Sequence, residues 1–258
     1  MAIKFTCFSQ RGSGKAHNED AVLLGGQVHQ GRVRVSGAVD ESLPCYFAVA
    51  DGVSSGTLPS TASRSLLELL QNSLSTAPAN ASLSALLHLV QQDYVALSAN
   101  TALYGMASTL VGVRLIGDAV TIFNVGDSRA YLLTNGASGS QARLLTRDHS
   151  MLNDMIDDGE ITSEQSENAS SFMRGLTSQF IADPECDEFK VNVVSHQWLS
   201  GERLILCSDG LNEVLSDPDI AALLVSGSDE DLLNACKASR RAGGTDDFSV
   251  IVLTVGPA

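Results

Sequence analysis

Carboxylates in this sequence gather where runs rich in Val, Ile, Leu and Phe begin or end. Phe47-Ala48-Val49-Ala50 leads into Asp51-Gly52, Phe123-Asn124-Val125 into Gly126-Asp127-Ser128, and Leu206-Cys207 into Ser208-Asp209-Gly210. Thr245-Asp246-Asp247 and His17-Asn18-Glu19-Asp20 stand just before apolar runs. One Asp-Gly step is ordinary turn chemistry, but five acidic clusters at such places are more than turns require. Carboxylates brought together repel one another and rise in pKa unless cations neutralise them. Oxygen donors without His or Cys select hard ions, so Mg²⁺ or Mn²⁺ is the expected occupant. Gly52, lacking a Cβ, leaves its carbonyl open to a ligand.

Other chemistries fail on spacing. Gly12-Ser13-Gly14-Lys15 has the look of a phosphate loop, but Ser9 stands where the first Gly is needed and Ala16 follows the Lys. Cys207 ends an apolar run, yet no Arg follows in the next loop to hold a phosphate. Asp217-Pro218-Asp219 follows a polar segment, not a strand. Asp148-His149-Ser150 leaves a nucleophilic triad open, although no Gly-x-Ser-x-Gly elbow exists. His149 reads as a structural turn residue, and His17, His29, His88 and His196 lack metal-type spacing and read as surface side chains. Trp198 and Phe189 read as core.

Sixteen Lys and Arg against 30 Asp and Glu give a formal charge of −14. That field repels phosphate backbones and anionic lipid, which excludes nucleic acid and membrane as partners. Cys7, Cys45, Cys186, Cys207 and Cys236 are far apart and form no Cys-x-x-Cys pair, which argues against a disulfide framework and against zinc. The amino terminus is too short in apolar residues for a signal segment, and every longer apolar stretch is broken by charge or Gly. The expectation is a soluble, cytoplasmic monomer.

The elements that must position these carboxylates are mostly short strands, expected at residues 3–8, 21–24, 31–36, 45–50, 109–115, 119–125, 130–133, 203–207 and 248–255. Helices are expected at 59–75 and 82–100, where Leu recurs every three or four residues, and at 151–157, 218–225 and 230–241. Gly117-Asp118 and Gly126-Asp127 join neighbouring strands by hairpins, so pairing is antiparallel and a doubly wound parallel sheet is excluded. Paired helices between blocks of strands imply sheet layers covered by helical layers in a single domain over 1–258. Residues 162–187, polar with Ser and Asn, read as a mobile surface insert.

The order of the motifs resembles that of bacterial members of the metal-dependent protein phosphatases of the 2C family. Asn18-Glu19-Asp20-Ala21, Ala50-Asp51-Gly52-Val53, Ala107-Ser108-Thr109-Leu110, Gly126-Asp127-Ser128-Arg129, Thr146-Arg147-Asp148-His149-Ser150, Cys207-Ser208-Asp209-Gly210-Leu211 and Asp246-Asp247-Phe248-Ser249 carry the likeness across nearly the whole chain. The resemblance implies an α+β, four-layer α/β/β/α sandwich of two mainly antiparallel sheets flanked by helices. It implies two Mn²⁺ or Mg²⁺ ions, bridged by Asp51 and held by the Gly52 carbonyl, Asp209 and Asp246, with Glu19 and Asp20 acting through water. Asp127, with Asp209, matches a third-ion position, and 162–187 matches a substrate flap.

A binuclear centre lets an ion-activated water attack phosphorus in line, so no protein nucleophile is needed. The activity implied is hydrolysis of phosphoserine and phosphothreonine in proteins. The partners implied are phosphoproteins, a cognate Ser/Thr kinase and its substrates. Three positions depart from the pattern: Lys15 replaces the Arg that binds the substrate phosphate, Asp247 replaces an Asn, and Val53 replaces the His of many eukaryotic members. Lys15 and Asp247 keep a second reading alive, a catalytically weak regulatory homologue that binds a phosphoprotein without turnover.

Overall fold

The computed structural model describes residues 2–40, 44–136, 139–166, 170–186, 188–199 and 201–255. In chain order the elements are β1 (Ala2–Gln10), β2 (Asp20–Leu24), β3 (Gln27–Gln30), β4 (Val33–Asp40), β5 (Cys45–Asp51), α1 (Pro59–Thr76) and α2 (Leu83–Ala96). Next come β6 (Ala107–Ser108), β7 (Leu110–Ile116), β8 (Ala119–Val125), β9 (Arg129–Gly136), β10 (Gly139–Leu144), α3 (Met151–Asp157), α4 (Ser163–Ser166) and β11 (Phe180–Ile181). The last are β12 (Asn192–Gln197), β13 (Arg203–Cys207), α5 (Asp209–Asn212), α6 (Asp217–Leu223), α7 (Asp229–Arg241) and β14 (Phe248–Val255). One six-stranded sheet runs β10-β9-β13-β14-β1-β4 and the other β12-β8-β7-β5-β2-β3, with β11 and β6 as a small third pair. The strand pairs are antiparallel, as the hairpin spacing implies.

Strands covered on both faces explain the unbroken apolar runs. In β13, Leu204 and Leu206 face the second sheet, while Ile205 and Cys207 pack toward α6 and α7. In β5, Phe47 and Val49 face between the sheets, and Ala48 and Ala50 turn to the helices, where their small size admits α1. The periodic leucines Leu66, Leu67, Leu70 and Leu74 of α1 are buried against that face. Each such leucine contributes about 1.5–3 kcal/mol by leaving water. The result is the α+β sandwich of four layers, with one apolar core between the sheets and one under each helical layer. Among the described residues no helix is long and apolar enough to cross a membrane.

The structure departs from the sequence reading mostly at sheet edges. β3, β10 and β12 carry polar, solvent-facing residues and lack the apolar signal by which central strands are read. The strand expected at 31–36 splits at the Gly31-Arg32 turn and continues as β4 to Asp40. The second helix stops at Ala96, followed by two 3₁₀ turns, Leu97–Ala99 and Thr101–Leu103. Within the insert at 162–187, residues 167–169 and 187 lie outside the described residues. Its end is not surface loop: Phe180 and Ala182 are fully buried and β11 pairs with β6. Trp198 is buried and Phe189 packs against the core, as expected.

Candidate metal centre

Strand register delivers the first two carboxylates. Asp20 opens β2 and Asp51 closes β5, and the two are direct partners across the antiparallel ladder. Asp127 sits in the turn from β8 to β9, Asp209 is the first residue of α5 after β13, and Asp246-Asp247 leads into β14. The same end of both sheets therefore carries every acidic motif, and Asp20 crosses the gap: the Ser208 hydroxyl donates to its Oδ2 at 2.8 Å. Ser208 in turn accepts the Ser249 backbone N–H at 3.1 Å. Asn18 anchors the preceding loop, its amide donating to Ser9 at 2.8 Å and to the Gly31 carbonyl at 2.7 Å.

Two glycines are dictated by close approach. A Cβ on Gly52 would lie 2.0 Å from the Pro59 carbonyl oxygen, and one on Gly210 would lie 1.8 Å from that of Asp247. The Gly52 N–H donates to the Glu19 carbonyl at 3.1 Å, tying the Asp51 turn to the Glu19 loop. Ser108-Thr109 holds Asp51 from the other side. The Thr109 N–H and Ser108 hydroxyl donate to the Asp51 carbonyl at 2.8 and 3.0 Å. The Thr109 hydroxyl also bonds Ser128 at 2.8 Å, linking the Asp51 and Asp127 segments.

His149 is buried and plays a structural part, and it does more than occupy a turn. Its Nδ1 accepts the Gly126 N–H at 3.0 Å and its own N–H donates to the Gly126 carbonyl at 3.0 Å, which fixes the step before Asp127. Arg129 grips Asp148 through both carboxylate oxygens at 2.6–3.2 Å. The roles of Ser108, Thr109, Ser208, Ser249 and His149 were not readable from the sequence. Their motifs were visible, but which backbone group each hydroxyl or ring would meet depends on contacts between distant strands.

Electrostatics mark the cluster as one that wants a cation. Burial pushes the Asp51 and Asp209 carboxyls well above the ordinary range, and repulsion from neighbouring carboxylates adds to it. Asp20, fully buried, is raised to about 7 by burial and by the charges of Asp247 and Asp246, against hydrogen bonds from Ser249 and Ser208. Asp127 is raised to about 6, chiefly by burial and then by Asp148. Asp20 Oδ1 and Asp209 Oδ1 are buried without a hydrogen-bond partner. Orphaned carboxylate oxygens with raised pKa values in an oxygen-only donor set fit a hard divalent ion. As they stand, no three His, Cys, Asp or Glu side chains among the described residues form a ready coordination cage. At the edge of the cluster Lys15 pairs with Glu19, Asp246 and Asp247.

The Lys15 ammonium contacts Asp246, lies 2.8 Å from Glu19 and 3.4 Å from Asp247, and donates to Ser54 at 3.2 Å. Burial works against its charge, but the hydrogen bonds to Asp246 and Glu19 hold its pKa above the usual lysine value. Arg11 clamps the same loop by donating to the Lys15 carbonyl. Asp247 is not a spare ligand beside the cluster. Almost fully buried, it accepts the Gly12 N–H at 2.6 Å on one oxygen and the Glu19 N–H at 2.7 Å on the other. A cavity of about 700 Å³ opens beside Asp127 and Asp209, walled by Arg147, Asp148 and Arg174.

Comparison with known proteins agrees with this fold. The serine/threonine protein phosphatase PstP of Mycobacterium tuberculosis is 27% identical over 263 residues, covering 99% of this chain and 45% of that protein. A serine/threonine phosphatase of Listeria innocua is 34% identical over 157 residues, 58% of each chain. The chain thus spans about half the length of the curated relatives it matches. The crystal structure of the M. tuberculosis PstP/Ppp phosphatase superposes with a TM-score of 0.77 at 24% identity, covering 100% of both chains. The PstP catalytic domain in complex with two manganese ions gives 0.75 at 25% identity, again over 100% of both chains. The protein phosphatase 2C family model matches residues 22–238, a span that runs from the strand beginning at Asp20 past Asp209, and the chain belongs to that family.

Proposed function

We propose that this chain is a Mg²⁺- or Mn²⁺-dependent phosphatase of phosphoserine and phosphothreonine in proteins. The observation that carries it is the gathering of Asp20, Asp51, Asp127, Asp209 and Asp246 at one end of both sheets, with buried oxygens of Asp20 and Asp209 left without partners. Asp51, the Gly52 carbonyl, Asp209 and Asp246 would hold two ions directly, and Glu19 and Asp20 would act through water. Asp127, with Asp209, would serve a third. When bound, the ions neutralise the phosphoryl oxygens and make water a stronger nucleophile.

The protein's own part is positional. Ser108, Thr109 and Gly52 fix Asp51, Ser208 orients Asp20, and His149 sets the Gly126-Asp127 step. Lys15, held against Glu19 and Asp246 at the mouth of the cluster, places a positive charge where a substrate phosphate arrives. Val53 carries no titratable group, so that position supplies no proton to the leaving oxygen. The substrates are phosphoproteins, shared with a Ser/Thr kinase.

The test is hydrolysis of p-nitrophenyl phosphate and of a phosphothreonine peptide with Mn²⁺, with Mg²⁺ and with EDTA. Activity is expected with either ion and none with EDTA; metal-independent hydrolysis overturns the reading. The contact of Lys15 with Asp246, a candidate ligand, favours one second reading, the catalytically weak homologue. Ion binding by calorimetry without turnover on either substrate would select it.

A further inference from the structure

A groove of about 490 Å³ lies on the outer side of the loop that carries Lys15, lined by Arg11, His17, Arg32, Gln10 and Asn18, with no carboxylate among its lining residues. In a chain with 30 acidic residues against 16 basic ones, that is a local reversal of sign. Besides Lys15, five Lys and Arg side chains among the described residues are held in ion pairs: Arg34 by Asp229, Arg64 by Glu68, Arg129 by Asp148, Arg147 by Asp157 and Lys190 by Asp154. Among the described residues Arg32 is exposed and has no ion-pair partner, and the Arg11 guanidinium donates to the Lys15 carbonyl and pairs with no acid. The floor is rigid. Buried Asn18 ties the loop to the Gly31 carbonyl, and Gly31, at φ 88°, makes the turn that presents Arg32.

The loop is a shared wall. Lys15 and Glu19 face the acidic cluster, while Ala16, His17 and Asn18 line the groove. From Lys15 to His17 the backbone spans at most about 7 Å, roughly two residues of extended peptide. The net charge of −14 repels anionic peptides in general, so a cationic groove at this place offsets that repulsion where a substrate docks.

Resting on the phosphatase reading, we propose that this groove is a second anion subsite for the substrate, taking a phosphate or carboxylate side chain two to four residues from the phosphoresidue being hydrolysed. Arginine's planar fork suits either oxyanion.

The experiment is steady-state kinetics with the Mn²⁺-loaded chain on three substrates: p-nitrophenyl phosphate, a phosphothreonine peptide with neutral flanks, and the same peptide bearing one further anion. That anion is either Glu or a non-hydrolysable phosphonate, placed two, three or four residues to either side. At one or more spacings it is expected to lower KM about fivefold, the size of one well-placed charge contact. Arg32→Glu, at an exposed turn, is expected to abolish the gain and to leave p-nitrophenyl phosphate and the neutral peptide within twofold of native. A larger gain for phosphonate assigns the subsite to phosphorylated residues, and an equal gain assigns it to acidic ones. The proposal is overturned if no spacing lowers KM, or if the gain survives in Arg32→Glu. Should the chain hydrolyse nothing, the phosphatase reading fails by itself, and fluorescence anisotropy of the same labelled peptides on native and Arg32→Glu chains still decides the groove.

Discussion

Stripping divalent ions with EDTA is expected to leave a chain that loses stability as pH rises through neutrality, the reverse of ordinary carboxylate behaviour. Asp20 is raised from 3.8 to about 7 by burial and neighbouring charge. Between those values the folded state binds a proton that the unfolded state has released, so the stabilisation is complete below the unfolded pKa and lost through the folded one. About three pKa units correspond to about 4 kcal/mol, of which about 2 kcal/mol falls between pH 5.5 and 8. For a chain of this size that is about 4–8 °C in Tm. Asp51 and Asp209 shift in the same direction but share the same neighbours, so their effects do not simply add. The assay is thermal melting at pH 5.5 and pH 8, with EDTA and with Mn²⁺. The EDTA melt is expected to fall with pH, the Mn²⁺ stabilisation is expected to be larger at pH 8, and Asp20→Asn is expected to flatten the EDTA slope. A flat or rising EDTA melt from pH 5.5 to 8, or an unchanged slope in Asp20→Asn, would refute the reasoning.

Asp51→Asn and Asp209→Asn are each expected to cut Mn²⁺-dependent turnover by at least about 100-fold and to shrink the Mn²⁺-induced melting shift; full activity in both would falsify the ligand assignment. Lys15→Ala is expected to raise KM for a phosphopeptide, with Lys15→Arg restoring or improving it, since a guanidinium orients phosphate where an ammonium only attracts it. If Lys15→Ala matches native while Arg11→Ala raises KM, the phosphate contact belongs to Arg11. Asp247→Asn conserves shape but offers one acceptor to two backbone N–H groups, so chemical denaturation is expected to show about 1–3 kcal/mol of lost stability; an unchanged midpoint would mean that one of those bonds is dispensable. Leu58 holds a left-handed backbone at φ 46° with half its surface exposed, and Leu58→Asn is expected to relieve about 1 kcal/mol, read as about 2–4 °C in Tm.

Central strands were legible in the sequence because burial on both faces leaves an apolar run that no turn residue interrupts, as in Leu204-Ile205-Leu206-Cys207. Edge strands such as Asn192–Gln197 were not, because one covered face and an outer rim make them resemble loops. The acidic residues were legible as a set, since Asp and Glu at the ends of apolar runs stand out locally. Their polar supports were not. Nothing in Ser208 or Ser249 taken alone says that one will orient Asp20 across the space between two sheets. Asp247 shows the same limit in another way: in the sequence it is only a carboxylate standing where an Asn is expected, and only the position of the Gly12 and Glu19 amides reveals that both its oxygens are committed to backbone N–H groups.

The face-to-face pairing of Asp20 with Asp51 makes the cluster a gauge of correct assembly. A slip of one residue between β2 and β5 would turn Asp20 to the opposite face and carry Val22 and Leu24 out of the core between the sheets. The Ser208 contact adds a second coordinate, because it is made only when the two sheets are correctly seated on one another. On the proposed reading, divalent-ion binding would therefore report on tertiary order as well as supporting chemistry. Damage that loosens the seam between the sheets would then be expected to blunt ion affinity while the strands themselves still give a native circular dichroism spectrum.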